Sequence, residues 1–154
     1  MRNKRLLIGG ATYHVTSRTN AKLRAFECNV GKRTMMSVLK NAKDKYRFKL
    51  HNFCIMPTHI HLLITPADGT NLSRIIQWIK TRSARRWNYI YDLRDHMWGE
   101  RFFSRPIKDP QDFESISDYI DQNPVKAGLV QQAEDFELSG AYHVANKITT
   151  LIDR

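Results

Sequence analysis

The amino-acid sequence predicts an α+β fold: a ferredoxin-like antiparallel sheet with helices on one face and an additional C-terminal helix. Two β-rich runs, 48–56 and 59–65, are separated only by Pro57-Thr58, which indicates a hairpin of antiparallel strands. A strand-like segment precedes the hairpin and another follows it, with helical segments between them. In this order the first and third strands are central neighbours, and one face of the sheet stays free to carry a site.

The elements in the first half of the chain follow from the periodicity of the side chains. Residues 11–18 alternate as a strand does, with Tyr13 and Val15 on the same side. A helix is predicted over about 32–46, because apolar residues recur there at three- and four-residue spacings. The hairpin follows, and the turn residues 66–69 end its second strand.

The second half of the chain is predicted to contain two helices and a strand. A long helix begins near Thr70 or Asn71, since either residue is a good N-cap. After a loop through Gly99, residues 102–108 have the pattern of a strand. The last helix, over 112–123, carries the tyrosine discussed below and ends at the residue before a proline.

Length and composition exclude several classes of protein. A chain of 154 residues fits one domain, with a core over about 10–131 and a C-terminal tail over 132–154. No apolar run approaches the roughly 20 residues of a membrane span, and the apolar stretch near the start is too short for a secretory signal. Cys28 and Cys54 have neither pairing nor metal spacing. We therefore expect a soluble, cytoplasmic protein.

The formal net charge of +10 is the first indication of function. An excess of Lys and Arg favours a polyanionic partner, because neutralising phosphates releases their counterions. The charge therefore points to nucleic acid. A protein whose charge serves only solubility is the alternative that composition leaves open.

Two histidines in the second hairpin strand have the arrangement of a metal site. Because side chains alternate along a strand, His59 and His61 point away from the face that carries Ile60, Leu62 and Ile64. A rise of about 3.3 Å per residue separates the two imidazoles by about 7 Å, close enough to bind one ion. Two half-exposed histidines on a sheet surface would give the same pattern, and the pair by itself does not decide between these interpretations.

A tyrosine and an asparagine share one face of the last predicted helix. Tyr119 and Asn123 stand four residues apart, so they are neighbours on the helix surface. The amide oxygen of Asn123, together with two histidines, would give a site with open positions for Mg²⁺ or Mn²⁺ and a phosphate. Alternatively, Tyr119 widens the apolar stripe of the helix and Asn123 closes it.

These motifs resemble those of a known family. Residues 56–63 (Met-Pro-Thr-His-Ile-His-Leu-Leu) look like the HUH motif of two histidines around a bulky apolar residue. Residues 119–130 resemble the tyrosine helix of REP-associated tyrosine transposases, which are relatives of the single-strand insertion-sequence transposases. The resemblance extends to 13–16 (Tyr-His-Val-Thr) and 98–103 (Trp-Gly-Glu-Arg-Phe-Phe), so it covers about residues 10–131.

The resemblance implies roles for particular residues. His59 and His61 would be metal ligands, Tyr119 the nucleophile, and Asn123 the third ligand, where insertion-sequence relatives use Gln. The implied activity is that of a metal-dependent single-stranded DNA endonuclease and strand transferase, a transposase with a covalent 5′-phosphotyrosine intermediate. The implied partner is hairpin-forming repetitive DNA, and the implied assembly is a monomer or a homodimer.

Further residues are candidates for DNA contact. The long helix carries a stripe of basic and aromatic side chains, namely Arg74, Trp78, Arg82 and Arg85. Arginines can bind phosphates, and a Trp can stack on an unpaired base. A solvated basic face with a partly buried Trp is the alternative. On the first strand, His14 and Arg18 are predicted to share the face of the histidine pair and to contact substrate.

Three other functions were weighed against this one. A domesticated DNA-binding protein could keep the fold without cleaving DNA, although both histidines, Tyr119 and Asn123 are present. An RNA-binding module on the same sheet would carry a Lys/Arg-Gly-Phe motif on its central strands, which the sequence lacks. A two-histidine phosphodiesterase needs two His-x-Thr/Ser motifs, and only residues 14–16 form one.

Overall fold

The computed structural model describes residues 8–153, so the prediction that the first residues form no export signal lies outside it. The strands are β1 (Tyr13–Thr19), β2 (Lys49–Met56), β3 (His59–Thr65) and β4 (Trp98–Pro106). The α-helices are α1 (Asn29–Tyr46), α2 (Leu72–Tyr91), α3 (Pro110–Lys126) and α4 (Gly140–Ala145). Across residues 8–153 we find no helix with the length and apolar character needed to cross a membrane.

The four strands form one antiparallel sheet in the order β2-β3-β1-β4. The predicted ferredoxin-like α+β fold is therefore confirmed, with the first and third strands at the centre. The register between these two strands pairs Thr16 with His61 and Arg18 with His59. Directly paired residues lie on the same face of an antiparallel sheet, so these four side chains share a face.

Helices cover both faces of the sheet. α1 and α2 pack on one face, where their apolar residues join Val15 and Ile60 in the main hydrophobic cluster. α3 packs on the other face, where Ile120 meets Cys54 and Leu63 in a second cluster. The prediction that this second face is free is therefore wrong in part, because burial of the apolar stripe of α3 covers the side formed by β2 and β3.

Three elements begin earlier than the sequence predicts, namely α1, β4 and α3, the last at Pro110 instead of residue 112. α1 begins at Asn29, because the thiol of Cys28 caps it by accepting the Gly31 N–H at 3.4 Å. β4 begins at Trp98, where a loop was predicted. The indole N–H of Trp98 donates to the buried Ser83 Oγ at 2.9 Å, so the start of the strand is held against α2. At its other end β4 stops at residue 106, two residues short of the predicted 108.

α3 continues past Pro124, which contradicts the prediction that the helix ends at residue 123. The helix starts at an Asp109 cap, whose carboxylate accepts the Asp112 N–H at 2.7 Å. Pro124 lies in the last turn and has no N–H to donate to the Ile120 carbonyl, so the helix lacks one hydrogen bond there. The helix then closes at Gly128, whose φ of 72° is the left-handed conformation that glycine adopts readily.

The segment after α3 packs along the outer edge of β2. Ile55 donates its N–H to the Leu138 carbonyl at 2.8 Å, and Asp153 donates its N–H to the Leu50 carbonyl at 2.8 Å. The Asp153 carboxylate also forms an ion pair with Lys43 of α1, at 2.6 Å. The predicted tail is therefore tied to both the sheet and α1.

Acidification is expected to weaken the packing of α4. His143 is 6% exposed, its ring stands edge-on to Phe53 with centroids 5.1 Å apart, and burial lowers its pKa below the usual 6.5. Below about pH 6.5 the unfolded chain therefore binds a proton at this position that the folded chain does not. Stability should fall as the pH drops, by at most about 1.4 kcal/mol per pH unit from this group.

The measurement is urea denaturation of the chain and of His143→Gln between pH 7.5 and 5. The variant should lose less stability on acidification than the parent chain. The dependence of stability on pH that remains in the variant is attributed to the other buried histidines. Equal slopes for both proteins would rule out His143 as a source of the pH dependence.

Candidate active site

Three imidazoles meet on the face of the sheet that α3 partly covers. The rings of His59 and His61 lie with centroids 5.0 Å apart at an interplanar angle of 87°. His14 of β1 stacks on His61 with centroids 5.3 Å apart. The Nδ1 atom of His61 lies 3.0 Å from His14 Nε2 and 3.2 Å from Thr16 Oγ1, so both groups can accept its proton.

Burial keeps these imidazoles neutral. It is the largest cause of the lowered pKa of each ring, and it brings the pKa of His61 to about 3 with help from His59, His14 and Arg18. The side chain of Asn123 lies close enough to His59 and His61 to oppose this lowering in part. Neutral rings keep the lone pairs that a metal ion needs.

The donor set fits a divalent cation. His61 is 3% exposed, and its Nε2 atom is buried without a hydrogen-bond partner of normal geometry within residues 8–153. A proton on Nδ1, shared with His14 and Thr16, leaves Nε2 as a lone pair. The described part of the chain has no group of three or more His, Cys, Asp or Glu side chains that could hold a metal. A third protein ligand would therefore be the amide oxygen of Asn123.

Tyr119 lies directly against these imidazoles. Its ring is edge-on to His61, with centroids 5.7 Å apart, and to His14, with centroids 5.9 Å apart. Lys126 holds its ammonium 5.6 Å from the centroid of the tyrosine ring. The tyrosine is 44% exposed, so it borders both the histidines and solvent. The amide of Asn123 donates to the Tyr119 carbonyl at 3.0 Å, which leaves its oxygen available as a ligand.

A buried asparagine fixes the helix that carries Tyr119. Asn52 of β2 is fully buried, and its amide N–H groups donate to Asp121 Oδ1 at 2.8 Å and to Ser117 Oγ at 2.9 Å. The oxygen of Asn52 accepts the Phe53 N–H at 2.8 Å. Because Ser117 and Asp121 flank Tyr119 by two residues on each side, this cluster sets the position of the tyrosine over the sheet.

Replacing this asparagine is expected to loosen α3. Asn52→Asp keeps the shape but puts a carboxylate against Asp121, which should lower the free energy of unfolding by about 3 kcal/mol or more. When Asp121→Asn is added to Asn52→Asp, the carboxylate at position 52 lies against an amide at position 121. Most of the lost free energy of unfolding should then be recovered. Urea denaturation of the two single variants and the double variant measures both effects. An additive loss in the double variant would contradict the pairing.

The family of the chain follows from its sequence. The family model described as "Transposase IS200 like" matches residues 8–123, which is most of the chain. The chain belongs to this family.

Two curated relatives carry the name of REP-associated tyrosine transposases. The first, from Haemophilus influenzae, has that name by inference and is 32% identical over 113 residues, which are 67% of this chain and 64% of that protein. The match thus spans less than two thirds of that relative's length. The REP-associated tyrosine transposase of Escherichia coli K12 is 25% identical over 138 residues, 88% of this chain and 79% of that protein.

Solved structures share the fold of this chain. A REP-associated tyrosine transposase bound to a REP hairpin superposes with a TM-score of 0.80 at 23% identity, over 100% of this chain and 92% of that chain. A Deinococcus radiodurans R1 protein inferred to be a transposase gives a TM-score of 0.56 at 17% identity, over 79% of this chain and 97% of that chain. At these identities the likeness shows the fold.

The predicted DNA-contact residues of the chain lie in two separate places. His14 and Arg18 stand on the face of the histidine pair, His14 half-buried and Arg18 exposed. The stripe on α2 (Arg74, Trp78, Arg82 and Arg85) lies in the helical layer on the opposite side of the sheet. Trp78 is half-buried there, with its ring edge-on to Tyr46 and the guanidinium of Arg82 5.5 Å from its centroid.

The layer of α1 and α2 is nevertheless strongly basic. Each of the two helices contains five Lys or Arg residues, and Asp44 is their single acidic residue. Arg82, Arg85 and Arg86 line a cleft of about 600 Å³ between the helices. α3, by contrast, has four acidic residues and one Lys. The helices on the side away from Tyr119 therefore carry a large excess of positive charge, and α3 does not.

Sequence reasoning missed two residues of the site. Asn52 is not singled out by the sequence, because its partners are too distant along the chain to be found from local pattern. Phe103 could have been found, because Phe102 and Phe103 are adjacent in a strand and cannot both face the α1 and α2 side. Phe102 is the buried one, and Phe103 is 76% exposed on the face of the histidines.

Proposed function

We propose that this transposase is a metal-dependent single-stranded DNA endonuclease and strand transferase that acts through a covalent 5′-phosphotyrosine on Tyr119. The observation that carries the proposal is the contact between the Tyr119 ring and His61, whose buried Nε2 has no partner of normal geometry within residues 8–153. A candidate nucleophile, Tyr119, thus lies beside a nitrogen, His61 Nε2, that could bind a metal ion. Such a pair suits attack on a phosphate.

His59, His61 and Asn123 would hold the ion. A Mg²⁺ or Mn²⁺ ion bound there supplies positive charge that polarises the scissile phosphate and stabilises the charge that develops during attack. His14 and Thr16 keep the proton of His61 on Nδ1, so that Nε2 faces the site as a ligand. Arg18, which is exposed beside His59, would bind a neighbouring phosphate.

The residues would perform one balanced displacement. The phenolic oxygen of Tyr119 forms a bond to phosphorus while the bond from phosphorus to the 3′ oxygen of the preceding nucleotide breaks. The phenol proton passes to water, and the departing oxygen takes up a proton to become a free 3′-OH. Because the product is still a phosphate diester, attack by a DNA 3′-OH reverses the step and joins strands.

The basic layer of α1 and α2 would supply affinity for DNA that does not depend on sequence. Its exposed cationic side chains, with Arg74, Arg82 and Arg85 among them, suit the phosphates of a folded strand or a hairpin stem. The ring of the half-buried Trp78 would hold the guanidinium of Arg82 in position through a cation–π contact. A hairpin as substrate is favoured by the structural relative, which is itself bound to a REP hairpin.

The test is a denaturing gel of the full chain mixed with labelled single-stranded hairpin DNAs and Mn²⁺ or Mg²⁺. We expect a protein–DNA adduct that retains the 5′ end of the cut fragment and needs the metal ion. Binding of the hairpins without any adduct, across metals and sequences, would favour a DNA-binding protein that does not cleave.

A further inference from the structure

Phe103 is a large apolar side chain on the open half of the active-site face. α3 covers the β2 and β3 side of this face, whereas Phe103 on the edge strand β4 is 76% exposed. It is directly paired with Thr16, whose hydroxyl lies 3.2 Å from His61 Nδ1. Two strand spacings, about 10 Å, therefore separate the backbone positions of Phe103 and His61.

Cationic side chains share the face of this ring. Arg105 stands two residues beyond Phe103 in the regular part of β4, so alternation places the two side chains on one face. Arg105 is held by Asp112 in a two-point ion pair, with both nitrogen–oxygen distances 2.9 Å. Arg18, paired with His59, is exposed on the same face. An exposed aromatic ring among cationic side chains is complementary to a nucleotide, because the ring can stack on the base and the cations can bind the phosphates.

We propose that Phe103 is a base-stacking platform for an unpaired nucleotide of the DNA strand whose phosphate lies at Tyr119. A duplex cannot use the platform, because its bases are already stacked on one another. The ring thus selects single-stranded DNA at the point of cleavage, and the cations of α1 and α2 bind either form. The inference rests on the proposed function in one respect, namely that the DNA strand bound by Phe103 also reaches Tyr119.

The experiment compares strand binding with duplex binding. Fluorescence anisotropy with labelled oligothymidylate, and with a duplex of equal length, is measured in EDTA for the chain and its variants. Phe103→Leu keeps apolar volume but removes the ring, and Phe103→Trp keeps a ring. We expect Phe103→Leu and Phe103→Ala to weaken strand binding roughly 5- to 150-fold. Phe103→Trp should bind the strand as the parent does, and the duplex should be bound equally by all.

A matched control removes phosphate contacts instead. Arg82→Gln combined with Arg85→Gln should weaken strand and duplex by the same factor. Thermal unfolding checks that each variant folds, and the exposure of Phe103 makes a large loss of stability unexpected. Equal weakening of strand and duplex by Phe103→Leu, or no weakening of either, would overturn the stacking role.

Failure of this inference and failure of the proposed function give different results. Binding is measured without metal, so it does not depend on cleavage. An adduct that forms while Phe103→Leu binds the strand normally would overturn the stacking role and leave the nuclease standing. Selective loss of strand binding in a chain that forms no adduct would support the stacking role and count against the nuclease.

Discussion

Tyr119→Phe is expected to abolish the covalent protein–DNA adduct and to leave DNA binding intact. The variant removes the one atom from which a phosphotyrosine bond could form, so the loss should be at least about 10³-fold. The ring contacts of Tyr119 with His14 and His61 do not involve the hydroxyl and should survive. Adduct formation is measured on a denaturing gel, and affinity is measured by anisotropy with the same hairpin DNA.

Tyr89→Phe is the matched control for this prediction. Tyr89 is 88% exposed on α2, on the other side of the sheet, so losing its hydroxyl should not change the adduct yield. An adduct that persists in Tyr119→Phe would remove Tyr119 from the role of nucleophile. Loss of DNA affinity together with the adduct would mean that the variant disturbs the binding surface.

The fold could be predicted because strand-like runs, turn residues and helical spacings follow one another in an order typical of a ferredoxin-like sheet. The hairpin at Pro57-Thr58 fixed the pairing of two strands, and the central position of the first strand followed from the topology. The covering of the second face by α3 was missed, although Leu62-Leu63-Ile64 is a continuous apolar run in β3. Leu63 lies on the face of His61, and such a run is typical of a strand buried on both sides.

The candidate site was easier to predict than the surface around it. Tyr119 and Asn123 are close in sequence, and the histidine pair lies in a single strand, so local periodicity was enough to group each pair. The stripe on α2 was predicted only to contact DNA, because a helix pattern shows which residues share a face and not where that face points. Asn52 holds α3 through Ser117 and Asp121, contacts that no local pattern encodes.

Combined replacement of His59 and His61 by Ala is expected to eliminate both metal binding and metal-dependent cleavage. The pair would supply two of three protein ligands, and the remaining amide of Asn123 is a weak donor by itself. Mn²⁺ binding is measured directly by electron paramagnetic resonance, which counts the free ion without reference to activity. His96→Ala, at an exposed histidine of the loop before β4, should leave Mn²⁺ binding unchanged.

His14→Ala should give an intermediate result, and it separates a ligand from a residue that positions one. Without His14, Nδ1 of His61 keeps only Thr16 as partner, so the tautomer with a free Nε2 is less favoured. Loss of such a partner weakens metal affinity by about 10- to 100-fold without removing a ligand. Unchanged Mn²⁺ binding in the double alanine variant would overturn the metal site. Unchanged binding in His14→Ala would instead assign that histidine to DNA contact.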